Sequence, residues 1–467
     1  MGQQSAAVSA SAKPRSAISN TGFFVLAFGS IVGSGWVVAI GEWLHASGPL
    51  GSVLAFLAGG LLMALVAGAY AELLARLPRS GGEFYFVQNG IGPRAGFLVG
   101  WFTLLHIVSF TAFEAFALCW FLETLMPALG SVPALYHSIA TPVTAVTLAV
   151  GLTGIATITW FNCRGAHLAV GLQRVITFGF ILISIVLILI GFTFGDARNI
   201  QPLFAAPAEG AVLPGMFWTF ATSLLFLSGF QGTANAIEER RPDTTMASVA
   251  RALIGSVLAA ALFYALIVLA VSLLRPWQGL VGEPLPAAAA FRDVLPGGGV
   301  STLVLVAAMI SLVKTWNALH LAASRLTMAL ARDGLLPSDL ARIDPVSGVP
   351  QRAILAVALG TVLWLGMGRG AILPIINMCT ICVTIIMILS LVALWRLRGR
   401  QAEKPAFVLP GGNLVLLVAI GVASLSATIA IGAVFDGKGG FPIEILLLIG
   451  WAVAGIITSR LMRHRHA

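Results

Sequence analysis

The chain has 467 residues, of which 58% are hydrophobic and 10% charged. A soluble domain carries roughly a quarter charged residues, so the composition excludes a sizeable soluble domain and points to a polytopic membrane protein. The net charge of +9 does not imply nucleic acid, because the basic residues sit in short loops between apolar stretches, where they report topology.

Residues 1–19 are polar, rich in Ala and Ser, and carry Lys13 and Arg15. They lack an apolar core followed by a small-residue cleavage site, so no signal peptide is expected and the segment reads as a cytoplasmic tail. Twelve spans follow, at 20–45, 50–76, 95–125, 142–160, 166–193, 213–237, 249–274, 300–331, 352–368, 371–396, 412–434 and 441–461. About 20 apolar residues suffice for one crossing. Backbone groups in lipid must be satisfied internally, so helices are the only option at this hydropathy and the expected class is an all-α membrane protein. Residues 397–411 form a cytoplasmic loop and 462–467 a second tail.

With the N-terminus inside, only Arg198, Arg275, Arg292, Arg369 and Lys438 of the 27 Lys and Arg fall outside. Lys314 lies within a span, and the rest occupy cytoplasmic segments and span ends. This bias puts both termini in the cytoplasm of a multi-pass inner-membrane protein.

Span 1 contains "GSIVGSGW" (29–36), with three glycines and two serines in seven positions. Glycine in a helix interior costs about 1 kcal/mol against alanine. Span 3 carries His106 and, about 80° further round the helix, Glu114. Span 6 reads "LFLSGFQGTANAIEERRP" (225–242) and repeats the glycine break five spans after the first. A matched pair of Gly-interrupted segments points to an inverted repeat with a substrate site at the breaks. Spans 1–5 and 6–10 (residues 20–396) are then the two repeats, and spans 11 and 12 (412–461) are appended. A broken helix offers free amides to a carboxylate at one half and free carbonyls to an ammonium at the other, so two such breaks can hold a zwitterion. The competing reading of one break alone is close packing through small residues.

Ionisable residues inside spans are functional candidates by default. His106 is either a proton-binding group or a neutral histidine bonded to a carbonyl. Glu114 either faces an outer vestibule or belongs to a structural pair. Lys314, in "SLVKTWNALHLAASR", is too deep in span 8 to reach water readily. Glu42 sits near a span end and reads as interfacial. Glu238, Glu239, Arg240 and Arg241 form either a cytoplasmic latch or a solvated helix end. Cys379 and Cys382 lie within an apolar helix with no second ligand pair, so packing is the better reading. His45, His137, His167, His464 and His466 make no metal spacing, and neither a metal nor a cofactor is expected.

Four stretches resemble the amino acid–polyamine–organocation (APC) permeases, which have the LeuT-type fold. They are "GSIVGSGW" (29–36), "PRSGGEFYFVQNGIGPRAGFLVGW" (78–101), "SGFQGTANAIEERRP" (228–242) and "SRLTMALARDGLLP" (324–337). The resemblance implies secondary transport by alternating access. Carried over by position, it implies that Gly33, Ser34 and Gly35 meet a substrate carboxylate. Carbonyls around Ile31, Phe226, Leu227 and Ser228 would take the amine, and Phe230 would close over the site from outside. Members for basic substrates often carry an acid where this chain has Gln231, so a neutral substrate is favoured. Trp36 stands where a smaller aliphatic is usual and is expected to reshape the pocket. Phe180 lies about where many relatives keep a lysine. Lys314 falls close to the position where sodium-coupled relatives bind sodium between span 1 and span 8. Its ammonium is therefore expected to replace that ion against span-1 carbonyls, with His106 as a proton relay.

The expected function is sodium-independent transport of a neutral amino acid, with proton coupling or exchange as the open choices. The alternative is a polyamine or other organic amine, with Glu114 as its anion. No base–nucleophile pair or metal set indicates an embedded enzyme. Paired broken helices favour an occluded site over a channel's continuous pore, and a sensor is the remaining rival.

Overall fold

The computed structural model describes residues 18–139, 141–205, 212–295, 298–400, 405–435 and 442–466. Lys13, Arg15, Lys404 and Lys438, with most of the expected N-terminal tail, lie outside the described residues.

Helix α1 (Asn20–Ile31) starts at Ser19, whose side chain accepts from Gly22 N, satisfying one of the amides a helix start leaves free. Helix α2 (Gly35–Val38) follows a break and runs into α3 (Ile40–Arg76) through Ala39, which keeps right-handed helical angles. At 37 residues α3 would rise roughly 55 Å, well beyond a ~30 Å bilayer core. Gly48, with φ 70°, and Pro49 split it into two arms.

A short helix α4 (Gly82–Gly90) precedes α5 (Pro93–Leu125), which opens with proline at its first turn. The chain then forms a two-stranded antiparallel hairpin, β1 (Ala134–Ser138) with β2 (Thr141–Thr144), in which Tyr136 faces Val143 and His137 faces Pro142. This corrects the all-α expectation locally. Residues 142–144 are strand, and the next helix, α6 (Ala145–Cys163), begins where Thr144 accepts from Thr147 N. A threonine that can cap its own helix start ends the strand there.

The remaining helices are α7 (Ala166–Phe194), α8 (Val212–Phe226), α9 (Met246–Leu274), α10 (Pro286–Ala290) and α11 (Gly299–Arg332). They end with α12 (Gln351–Leu365), α13 (Ile372–Arg400), α14 (Gly412–Phe435) and α15 (Ile443–His466). Among the described residues, 11 helical stretches are long and apolar enough to cross a membrane. Gln351–Leu365, the ninth expected span, is shorter at 15 residues.

Burial sorts these elements into a centre and a periphery. The α1–α2 stretch is 83% buried and the α15 stretch 11% buried. Helices α1, α3, α8 and α9 pack together at the centre, while α5 packs on α11 and α13 beside them. A knot of rings sits where α3, α8 and α9 meet: Trp43 lies 5.0 Å from Phe226 and 4.6 Å from Phe56, and Phe56 stacks on Tyr264 at 4.8 Å. At the periphery, Trp101 of α5 and Trp451 of α15 stack at 4.5 Å, and each indole N–H donates to the other's carbonyl, at 2.8 and 2.9 Å.

One end of the bundle is rich in arginine. Glu72 accepts from Arg76 and Arg398, Arg79 pairs with Asp333 at 3.0 Å, and Arg332 pairs with Glu238 at 2.8 Å. Arg325 and Glu239, each 1% exposed, pair at 2.6 Å.

Candidate functional site

Two interruptions of helical structure meet in the centre. Helix α1 stops at Ile31, Val32 is extended (φ −90°, ψ 94°), and the helix restarts at Gly35. Helix α8 stops at Phe226, Gly229 takes φ 112°, and the chain resumes as a 3-10 helix over Phe230–Glu239. A side chain is disfavoured at that φ. Space forbids one as well, because a β-carbon on Gly229 would fall 2.4 Å from Ser30 O. The breaks therefore lie side by side, with Ser30 Oγ 3.0 Å from Gly229 O.

Breaking α1 frees carbonyls that need donors in a buried place. One turn of α11 supplies them. Lys314 Nζ donates to Gly29 O at 3.0 Å and to Val32 O, and Thr315 Oγ1 lies 3.0 Å from Gly29 O. Ser311 Oγ lies 2.8 Å from Val32 O and 2.9 Å from Gly33 O. Lys314 is fully buried, with Nζ 4.9 Å from the Phe180 ring and 5.7 Å from the Phe28 ring. The ammonium thus has two carbonyls and two aromatic faces to replace its water.

Between the breaks is a cavity of about 30 Å³. Ile31, Gly33, Ser34 and Gly35 line it from span 1, Phe226 and Ser228 from span 6, His106 from α5 and Thr315 from α11. Ser34, Gly35 and Trp36 open the second half-helix, where the first N–H groups have no internal acceptor, and Ser34 Oγ is buried without a partner. One water needs about 10–15 Å³, so a cavity of about 30 Å³ has room for two or three waters. Phe226 forms one of its walls. Its ring sits so close that a β-carbon on Gly35 would be 2.2 Å from Phe226 Cε1.

Several expected positions lie elsewhere. Phe230, expected as the closing aromatic, is buried 5.6 Å from the Tyr70 ring and is not among the residues lining the cavity, whereas Phe226 is. The reason is local: regular helix ends at Phe226, and Gly229, with φ 112°, stands between the two residues before the chain resumes as 3-10 helix. Leu227 is fully buried in the core. Gln231 folds back, its Oε1 accepting from Gly229 N at 2.6 Å. Trp36 turns away from the cavity and packs edge-on against Phe263 at 5.9 Å. Glu114 faces no vestibule. It is fully buried behind Gly33, where a β-carbon would be 3.1 Å from Glu114 Oε1, and neither carboxyl oxygen has a hydrogen-bond partner. Glu238 and Glu239 tie span 6 to α11 through Arg332 and Arg325, and Glu238 also accepts from Ser80 N at 3.0 Å.

Sequence reasoning missed Phe110, Phe113, Thr315 and Leu319, all on the cavity wall. Helical spacing from His106 would have found the first two, whereas Thr315, the neighbour of Lys314, has no such signal. Phe110 and Phe113 follow His106 by four and seven positions, one helix face, and Leu319 follows Thr315 by four.

A second cavity of about 30 Å³ adjoins the first on the side of the arginine-rich end, and Glu83, Thr103, His106 and Gln231 line it. Glu83, on α4 outside the spans, is 4% exposed, and burial pushes its carboxyl up to about 7.

The family model for amino acid permeases matches residues 18–454. The chain belongs to the amino acid permease family. This agrees with the resemblance to the APC permeases carried by the four stretches quoted above. Among similar proteins, a methylthioribose transporter of Bacillus subtilis is 26% identical over 410 residues, covering 85% of each chain. A branched-chain amino acid permease of Lactococcus lactis is 26% identical, over 83% of this chain and 84% of its own. Cationic amino acid transporter 4 of mouse is 25% identical, over 85% of this chain and 62% of its own. These relatives are transporters, not enzymes, and the permease described here is a multi-pass membrane protein of the same family.

Proposed function

We propose that this permease is a secondary active transporter that carries a neutral amino acid across the cytoplasmic membrane by alternating access, without sodium. The observation that carries the reading is the contact between the two breaks, which brings the free amides of Ser34 and Gly35 and the end of α8 around one cavity. Amides suit a carboxylate and helix-end carbonyls suit an ammonium. Twelve spans in a 5+5 inverted repeat over residues 20–396, with two appended spans, fit this architecture; Gln351–Leu365 is then the short ninth. The arginine-rich end is the cytoplasmic one, with both termini on that side. Lys314 holds the span-1 carbonyls that a bound cation would otherwise hold, which supports sodium independence. Its loss of a proton, relayed by His106, would free those carbonyls and couple transport to protons.

A second reading is an organic amine or polyamine as substrate. Glu114 favours it, being a buried carboxyl without a hydrogen-bond partner directly behind Gly33. The names of the relatives span methylthioribose, branched-chain and cationic amino acids, and γ-aminobutyric acid, so family membership alone does not choose. The test is a thermal-shift screen of the purified protein followed by counterflow in proteoliposomes. Neutral amino acids should raise the melting temperature and exchange without sodium. Putrescine or isopentylamine binding as well as leucine would overturn the zwitterion reading in favour of the amine. Unitary currents would overturn transport itself.

A further inference from the structure

The second cavity shares His106, Gly229 and Leu319 with the first, so the two are neighbours across the span-6 break. Its polar equipment is incomplete. Glu83 forms no ion pair among the described residues, and its one side-chain partner is the Tyr70 hydroxyl, which donates to Oε1 at 3.3 Å. The other buried carboxyls towards this end differ: Glu72 has Arg76 and Arg398, and Glu239 has Arg325. Thr103 Oγ1 and His106 Nδ1 also line the cavity and have no hydrogen-bond partner. Besides Tyr70, the Glu83 carboxyl accepts from its own backbone amide. An acceptor-rich chamber whose carboxyl forms no ion pair suits a cation with several N–H donors.

We propose that this chamber is a transit subsite for the substrate's ammonium group, with Glu83 as counter-ion. The proposal rests on the transport reading and adds a second station on the path. In the first site the ammonium is held by carbonyls at the span-6 break. On leaving towards the arginine-rich end it passes Gly229 and His106, and Glu83 is the carboxylate next in reach. Thr103 Oγ1 and His106 Nδ1 accept hydrogen bonds from its remaining N–H groups. Gln231, bonded to Gly229 N, leaves the chamber free of any competing positive charge. The subsite lowers the barrier to release and leaves the first site's affinity untouched.

The test uses the full-length protein, with a mixture of the twenty ¹⁴C-labelled L-amino acids as probe. Binding is read by thermal shift and exchange by counterflow in proteoliposomes. Glu83→Gln keeps the size and loses the charge. Its binding midpoint should stay within about threefold of wild type while counterflow falls about tenfold, the scale of one charge-assisted hydrogen bond. Glu83→Asp should restore about a third or more of wild-type counterflow, because the charge returns. A Glu83→Gln protein exchanging within about twofold of wild type overturns the subsite while transport stands. Binding and counterflow lost in equal proportion also overturn it, because Glu83 then acts at the first site. If Glu83→Gln does not fold, Thr103→Val decides: exchange within about twofold of wild type sinks the proposal, and slowed exchange at unchanged binding supports it. Wild type that takes up no labelled amino acid overturns the amino acid reading, and the subsite with it.

Discussion

Ser30 and Gly229 are the point where the two broken helices touch: Ser30 Oγ lies 3.0 Å from Gly229 O, and a β-carbon on Gly229 would sit 2.4 Å from Ser30 O. Gly229→Ala therefore meets both a positive φ and a backbone clash. The expected loss is about 1–3 kcal/mol of stability, with substrate-induced thermal stabilisation abolished. Gly232→Ala is the control, since its β-carbon would meet only the Ala322 methyl, at 3.0 Å. Equal melting temperatures for the two variants would show that the breaks do not need to touch.

Phe226, not Phe230, is expected to govern release. Phe226→Ala opens the cavity wall beside Gly35, and apparent affinity should weaken about three- to tenfold with faster release, as expected for losing part of an aromatic contact. Phe230→Ala should lower the melting temperature, because a buried ring is lost beside Tyr70, and leave affinity near wild type. Stopped-flow release measured on both variants distinguishes them. The opposite assignment follows if only Phe230→Ala releases faster.

Lys314 separates coupling from structure. Lys314→Arg keeps a permanent charge. If proton loss at this position drives transport, the variant binds substrate but its uptake no longer varies with pH. If the lysine is a fixed clamp on Gly29 and Val32, the wild-type pH profile survives. Both versions expect uptake in sodium-free proteoliposomes, and a sodium requirement would overturn both.

Glu83 sets a pH dependence of stability with a definite sign. Its carboxyl lies at about 7 in the fold against an ordinary 4.5, so between those values the folded protein holds a proton that the unfolded chain has lost. Stability from this group is present below about 4.5 and declines as pH rises towards 7, by roughly 3 kcal/mol in all. Glu83→Gln, which never ionises, should gain in melting temperature relative to wild type between pH 5 and 8. A difference that stays constant with pH would contradict a buried, unpaired carboxyl.

The ion pair between Glu239 and Arg325 should behave as a buried one. Glu239→Gln leaves Arg325 uncompensated and should cost about 3 kcal/mol. Adding Arg325→Met should recover most of that loss, since a buried pair replaced by apolar side chains is often neutral. Melting temperatures of the single and double variants in detergent measure the difference. A double variant no more stable than the single one would mean that the pair is not what holds this end together.

The helix breaks were legible because their cause is compositional: three glycines and two serines cannot hide in an apolar helix. The orientation of side chains beyond a break was not legible. A count of 100° per residue holds only along continuous helix, and the span-6 chain changes from α to 3-10 geometry across Gly229. Phe226, expected to offer only its carbonyl, therefore puts its ring on the cavity wall, while Phe230 is buried beside Tyr70 and Gln231 lines the second cavity. An angle of about 80° between His106 and Glu114 along one helix does not say whether a helix face meets water or another helix. Residues 142–144 of the hairpin look helical in the sequence because the apolar run from Val143 onward does not mark where strand gives way to helix. Glu83 escaped notice because its setting, a carboxyl without a cation, exists only once α3, α4 and α5 are packed.

The reciprocal indole bonds between Trp101 and Trp451 fasten α15 to α5, the helix that carries His106, and Asn377 of α13 donates to Glu444 of α15 at 2.9 Å. Helix α15 therefore spans α5 and α13 as a brace. A displacement of α5 against α13 during a transport cycle has to pull on one of these two anchors. A spectroscopic label on the outward face of α15 would then read the motion of a helix buried at the site, without a probe near the substrate.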